Sequence, residues 1–260
     1  MGILDKIYTA ERADENAVSD NPVFMRQLFA YTQAAEEVSG CILEIGCGEG
    51  YGIKWLSPKA SRYVAIDKHI PLNQQNFAHV EFINMEVPWL TEMENDQFDV
   101  VICFQLIEHI QDDQTLLKEI YRVLKPGGKL LLTTPNQSMT LSRNPYHIRE
   151  YNTNQFRELL SRYFDSEKIF FGGVFGDATV MEYHERNRKS VERFRKFDIL
   201  GLEKHLPASW FKIPYDILNR MNRNVLKNNN DALVSGISTA NFFIKEMDGG
   251  QLDYYCRAVK

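Results

Sequence analysis

No run of about 18 consecutive apolar residues occurs, so a helix able to cross a membrane is not expected. No internal repeat or low-complexity tract is visible, so the chain does not read as a repeat array. Cysteine is scarce: Cys41, Cys47, Cys103 and Cys256 are scattered and form no CxxC pair. They read as reduced, unligated thiols and not as a metal or redox site. The opening stretch, MGILDKIYTAERADEN, is polar and mixed in charge, unlike a signal peptide. Lys6 stands where a myristoylation motif after Gly2 wants Ser or Thr. The expected location is cytoplasmic.

What is present is an ordinary folded-protein composition. The 260 residues are 44% hydrophobic and 25% charged, with a net charge of −5, enough for one sizeable core. Charge is unevenly spread. Glu185 to Lys227 holds 11 Lys and Arg against 5 Asp and Glu, or +6, which leaves −11 elsewhere. That balance argues against a nucleic-acid binder as a whole and marks one local basic surface.

Residues 22 to 38 read as an amphipathic helix, capped by Asn21, with Phe24, Leu28, Tyr31, Ala35 and Val38 along one stripe. Strands are expected at 41–45, 62–67, 79–84, 98–104, 129–135, 166–173 and 252–260. A short helix at 51–57, one at 112–124 ended by Gly127 and Gly128, and one starting at Asn152 with a Gln155 capping box fall between them. FDVVICF is the most apolar strand and should be central. Such alternation means βαβ units. The expected fold is an α/β, doubly wound, Rossmann-like seven-stranded mostly parallel sheet with an antiparallel last strand and a helical cap insertion. The expected divisions are an N-terminal helical arm or lid (1–40), a core (41–175), a cap (176–250) and a last core strand (251–260).

CILEIGCGEGYG, residues 41 to 52, carries four glycines at alternate positions just past the first strand, where such sheets bind ligands. No Lys-Ser or Lys-Thr follows, which removes a P-loop. The spacing GxGxGxG differs from the dinucleotide GxGxxG. Glu44, two residues before the first glycine, repels a pyrophosphate but attracts an ammonium group. Asp67 closes the second strand and suits ribose hydroxyls, or simply caps a loop. An amine and a ribose without a diphosphate describe S-adenosylmethionine.

In order and spacing, ILEIGCGEGYG, Asp67, FDVVICFQLIEHI and LKPGG resemble the class I S-adenosylmethionine-dependent methyltransferases, closest to the small-molecule and lipid-quinone branch. The likeness covers about residues 22 to 173. It implies that Glu44 lies near the methionine end, and that Gly46, Cys47 and Gly48 supply backbone to the aminoacyl part and ribose. It implies Asp67 as the ribose acid, Asn84 (where relatives usually have Asp) as acceptor from adenine, and Met85 as a backbone amide and soft side chain against the ring. Lys68 and Ile70 would flank the ring. Phe104 and Gln105 would contact the methionine carboxylate near the transferable methyl.

Methyl transfer is an in-line displacement in which the protein chiefly aligns the reactants. A base is needed only where the acceptor must lose a proton. His109 in IEHI and His147 in NPYHIREYN are candidates, His147 first; either can instead be a structural histidine. Tyr31, Arg149, Tyr151 and Trp210 are candidate acceptor contacts, and Arg149, Glu150 and Tyr151 can equally pair with one another. Glu108 lacks companion acids, so no metal is expected.

Residues 186 to 227 combine Lys and Arg with aromatics. They read as a helical cap forming the acceptor pocket, as a peripheral contact with the inner face of a membrane, or as a docking face for an acidic partner. The function expected is methylation, on oxygen, of a small-molecule, lipid-linked or saccharide acceptor. The rivals are a non-catalytic scaffold subunit and an NAD-dependent oxidoreductase, the latter disfavoured by Glu44 and the glycine spacing.

Overall fold

The computed structural model describes residues 13, 16–69, 77, 79–195 and 208–260. Ile70, residues 1–12 of the expected lid and 196–207 of the basic stretch lie outside them.

Eight strands form one sheet: β1 (Gly40–Ile45), β2 (Ala60–Asp67), β3 (Val80–Asn84), β4 (Phe98–Phe104), β5 (Leu124–Pro135), β6 (Ile169–Gly176), β7 (Phe242–Glu246) and β8 (Asp253–Val259). Their order is β3-β2-β1-β4-β5-β8-β6-β7. The first five pair in parallel, while β8 runs antiparallel to both β5 and β6. The doubly wound α/β class is as expected, with one strand more than the seven. The addition is β7, within the block read as helices and loops. FFIKE is five residues long and sits at the sheet edge, so it never builds the alternating or continuous apolar run that signals a strand.

The central strand is β4, flanked by β1 and β5 and buried along nearly its whole length, as its apolar run requires. The helix α1 spans Asn21–Glu37 and α2 spans Ile53–Leu56. Asn21 is not the expected cap. It lies inside the helix, and its Nδ2 donates to the carbonyls of Val234 and Ile237 at 2.8 and 2.7 Å. The next helix, α3 (Asp113–Val123), starts at a true cap, Asp112 accepting from Thr115 N at 3.0 Å, and buries Leu116, Leu117, Ile120 and Val123. It stops before the glycines, because Pro126 disfavours a helical Lys125. The chain passes directly into β5, so Gly127 and Gly128 belong to a strand. Asp99 Oδ2 accepts from Lys125 Nζ and from Cys41 N, both at 2.8 Å, which ties the LKPGG stretch to the starts of β1 and β4. The Asn152–Gln155 capping box opens α4 (Thr153–Ser161) as read from sequence.

The remaining α-helices among the described residues are α5 (Ala178–Arg195), α6 (Ala208–Asn229) and α7 (Asp231–Gly236). The chain divides into two compact units. One gathers residues 27–139, 148–175 and 244–260, and so holds nearly all of the sheet. The other gathers the described residues among 1–26, 140–147 and 176–243. No helix among the described residues is long and apolar enough to cross a membrane.

Candidate functional site

Between β1 and β4 the strand order reverses, β1 leading outward to β2 and β3 and β4 to β5. The carboxyl ends of two such neighbours part around a crevice, the usual place for a ligand in this architecture. The glycine loop leaves β1 there, and Gln105 leaves β4 there.

Glu44 is buried between Leu43 and Ile45 on β1. In register it stands beside Ala65, so Tyr63, two residues earlier on β2, shares its face and reaches it diagonally. The Tyr63 hydroxyl donates to Glu44 Oε2 at 2.7 Å. Oε1 is equally buried and has no hydrogen-bond partner among the described residues. Burial raises the Glu44 pKa above its ordinary value, against the lowering effect of hydrogen bonding from Tyr63 and, at longer range, from Tyr31. Tyr31 of α1 stands against the same carboxylate; burial and then the Glu44 charge push its phenol well up. Its ring meets Phe104 edge-on with centroids 5.0 Å apart.

The loop is held by Asp67. Oδ2 accepts from Gly48 N at 3.0 Å and Oδ1 from His69 N at 2.8 Å, which fixes the plane of the carboxylate and leaves lone pairs on both oxygens. The amides of Gly46 and Cys47 both donate to Ile66 O, at 2.8 and 3.2 Å. Gly48 has φ +54, and a Cβ built there meets nothing within 4 Å. Its bare backbone therefore borders open space. Gly52 serves differently: its backbone is ordinary, but an added Cβ would lie 2.0 Å from the Tyr31 ring. The fourth glycine admits Tyr31.

Asn84 Nδ2 donates to Lys68 O at 3.0 Å, leaving its carbonyl end as an acceptor. Met85 departs from expectation. Its amide, which was to face adenine, donates to Asp67 O at 3.1 Å because the β2–β3 ladder continues one residue further, and its side chain joins the core. Gln105 has φ +49, sparsely populated for a side chain of this kind. Its amide donates to Thr133 O at 2.9 Å and its Nε2 to Thr133 Oγ1 at 3.3 Å, bonds that hold the unusual backbone in place.

Glu108 is buried and accepts from Thr134 Oγ1 at 2.8 Å, with His109 Nε2 lying 3.9 Å from its other oxygen. Arg149 and Tyr151 meet at Asp113, which accepts from the Tyr151 hydroxyl at 2.7 Å and pairs with Arg149. His147 belongs to the other unit, where its Nε2 lies 2.8 Å from Asn144 Nδ2. Only an imidazole accepting at Nε2 suits that amide donor, so the ring proton sits on Nδ1. Trp210 is also in that unit, on α6, and is 74% exposed. Sequence reasoning missed Tyr63. A tyrosine in RYVAID reads as an ordinary strand residue, and only the β1–β2 register aims it at Glu44.

A family model described as a methyltransferase domain matches residues 18–171, more than half of the chain. A Mycolicibacterium smegmatis protein named "Probable S-adenosylmethionine-dependent methyltransferase" is 34% identical over 197 residues, covering 70% of this chain and 74% of that one. The chain belongs to the S-adenosylmethionine-dependent methyltransferase family. A Mycobacterium tuberculosis relative of the same description is 32% identical over 165 residues, and the chain spans only 58% of its length. A ubiquinone biosynthesis O-methyltransferase of Acinetobacter baylyi is 28% identical over 105 residues, or 37% of this chain and 44% of that one. Among solved structures, a Thermotoga maritima S-adenosylmethionine-dependent methyltransferase superposes with TM-score 0.55 at 18% identity, covering 91% of this chain and 92% of that one. At that identity the likeness shows the fold alone.

The cofactor that goes with this methyltransferase family is S-adenosylmethionine, and the residues present fit it. A buried carboxylate oxygen without a partner suits an ammonium group, since such an atom otherwise costs about 1–3 kcal/mol. The open ground over Gly48 and the fixed Asp67 carboxylate suit a ribose.

Proposed function

We propose that this methyltransferase carries a methyl group from S-adenosylmethionine to an oxygen atom of a small-molecule, lipid-linked or saccharide acceptor. The buried Oε1 of Glu44, which accepts no short hydrogen bond among the described residues and has only the Tyr31 phenol near its carboxylate, is the observation that carries the cofactor half of this reading. The likeness to a ubiquinone biosynthesis O-methyltransferase supports the choice of oxygen. Glu44 is assigned to the ammonium end, the backbone of Gly46, Cys47 and Gly48 to the aminoacyl part and ribose, and Asp67 to the ribose hydroxyls. Asn84 through its carbonyl oxygen and Lys68 are assigned to the adenine, and Met85, whose amide and side chain are both taken up by the fold, is not. Phe104 and Gln105 are assigned to the methionine end, with Tyr31 as its wall.

When bound, the cofactor supplies an activated sulfonium methyl group. What the chain's own residues do is align and exclude water, which suffices for an acceptor that is already a nucleophile. A hydroxyl acceptor also needs a base. His147 can take a proton at Nε2 only by giving up the Asn144 bond, whereas His109 has its Nε2 3.9 Å from the buried Glu108 carboxylate, a group able to orient the ring. Both histidines are therefore assigned as base candidates, with His109 ahead on this ground. Arg149 and Tyr151 are assigned as acceptor contacts only through what Asp113 leaves free. Residues 176–250 are assigned acceptor recognition on the sequence ground that a block this long between two strands carries function.

Incubating the full chain with methyl-labelled cofactor and fractionated cell extract tests the proposal. Label is expected in the small-metabolite, lipid or saccharide fraction, in an alkali-stable ether or an ester. Label confined to protein or nucleic acid, or none despite cofactor binding, would contradict it.

A further inference from the structure

The helix α6 is turned inside out. The face it buries carries Asn222, Arg223 and Leu226. That face is held largely by polar contacts within its own unit: Asn222 Nδ2 donates to Asn187 Oδ1 at 2.7 Å, and Arg220 and Arg223 pair with the fully buried Asp20 at 2.8 and 3.1 Å. The opposite face carries Trp210, Ile213, Ile217, Leu218, Met221 and Val225, each 42–74% exposed. At 100° per residue these six fall within one continuous sector, a stripe about 22 Å long. Scattered exposed apolar residues are ordinary, but a single-faced stripe of this length on a soluble helix marks an interaction surface.

We propose that this stripe is a docking surface for an anionic lipid bilayer. It goes beyond the methyl-transfer reading and does not rest on it. Charge selects the occupant. Residues 185–227 carry +6 along the chain, so a second copy would bring like net charge to this segment, while an anionic headgroup layer is complementary. Arg186, Arg188, Lys189 and Arg193 on α5 and Lys227 on α6 lie in the same unit as the apolar face. Arg186, Arg188, Lys189 and Lys227 pair with Glu182, Glu185, Glu192 and Asp231 in exposed ion pairs that are worth little in water and can be exchanged for phosphate. Isoleucine, methionine and valine in the acyl boundary with tryptophan at one end and cations in the headgroups is the arrangement of a helix lying in a membrane surface.

Co-sedimentation of the full chain with vesicles tests this, comparing phosphatidylcholine alone with phosphatidylcholine plus phosphatidylglycerol, at low and high salt. Binding is expected only with the anionic lipid, weakened by salt. The double variant Ile217→Asp, Met221→Asp should lose about tenfold or more of that affinity. Both side chains are exposed, so the variant should keep the wild-type melting temperature and S-adenosylhomocysteine binding, which verifies its fold. Three results would overturn the proposal. They are no sedimentation of wild type at low salt, undiminished sedimentation of the double variant, or a wild-type dimer that the variant breaks with no vesicle binding, which would give the stripe to a second copy.

Discussion

Glu44 lies in β1 among fully buried neighbours, and burial holds its carboxyl above the ordinary value near 4.5. The folded chain thus keeps this proton to higher pH than the unfolded chain does. Across the interval from 4.5 up to the raised value, folded protein binds more protons, so this group's contribution makes stability fall as pH rises. At pH 7, above the ordinary value, this group therefore contributes less stability to the cofactor-free protein than it does at pH 4.5. Glu44→Gln is therefore expected to raise the melting temperature of the free protein at pH 7 by about 2–4 °C, for a gain on the order of 1 kcal/mol. The gain should shrink as pH falls toward 4.5. Scanning calorimetry across pH checks this, and a destabilised variant at pH 7 would contradict the burial argument. A single sequence could place Glu44, because its distance from the glycines fixes where β1 ends. It could not supply Tyr63 as its donor, because that needs the register of two strands 19 residues apart.

At the scale of elements, the glycine loop and α1 meet at Gly52 and Tyr31. Gly52 has φ −75, which alanine adopts without strain, so Gly52→Ala reports the ring contact alone. Moving Tyr31 to make room should cost about 1–3 kcal/mol and weaken cofactor binding, since Tyr31 also touches Phe104. In a Tyr31→Ala background the same substitution should be close to neutral in a denaturation experiment; an undiminished cost there would place the clash elsewhere. Elements with strong local signals were legible beforehand, notably β4 from its apolar run and α4 from its capping box. The end of α3 was placed to within a residue, but its stop was credited to the two glycines when Pro126 acts first, on the residue before it. The strand β7 was hidden because an edge strand of five residues owes its existence to its neighbour in the sheet.

The whole molecule combines a sheet whose order reverses between β1 and β4 with a helical unit of opposite charge balance. The two carboxylates that frame the cofactor reading come from adjacent strands, Glu44 inside β1 and Asp67 at the end of β2. Their joint position, with the bare Gly48 between, is a property of the sheet and not of any one element. The acceptor was not legible at any scale, because the residues proposed to recognise it lie in a long insertion whose local signals do not fix how it folds. The most direct measurement is a calorimetric titration of the full chain with S-adenosylhomocysteine, repeated for Glu44→Gln and Asp67→Asn. The account predicts one site per chain, with affinity about tenfold or more weaker in each variant, as expected for losing a charge-assisted hydrogen bond. Undiminished affinity in both variants, or binding of NAD in place of S-adenosylhomocysteine, would contradict it.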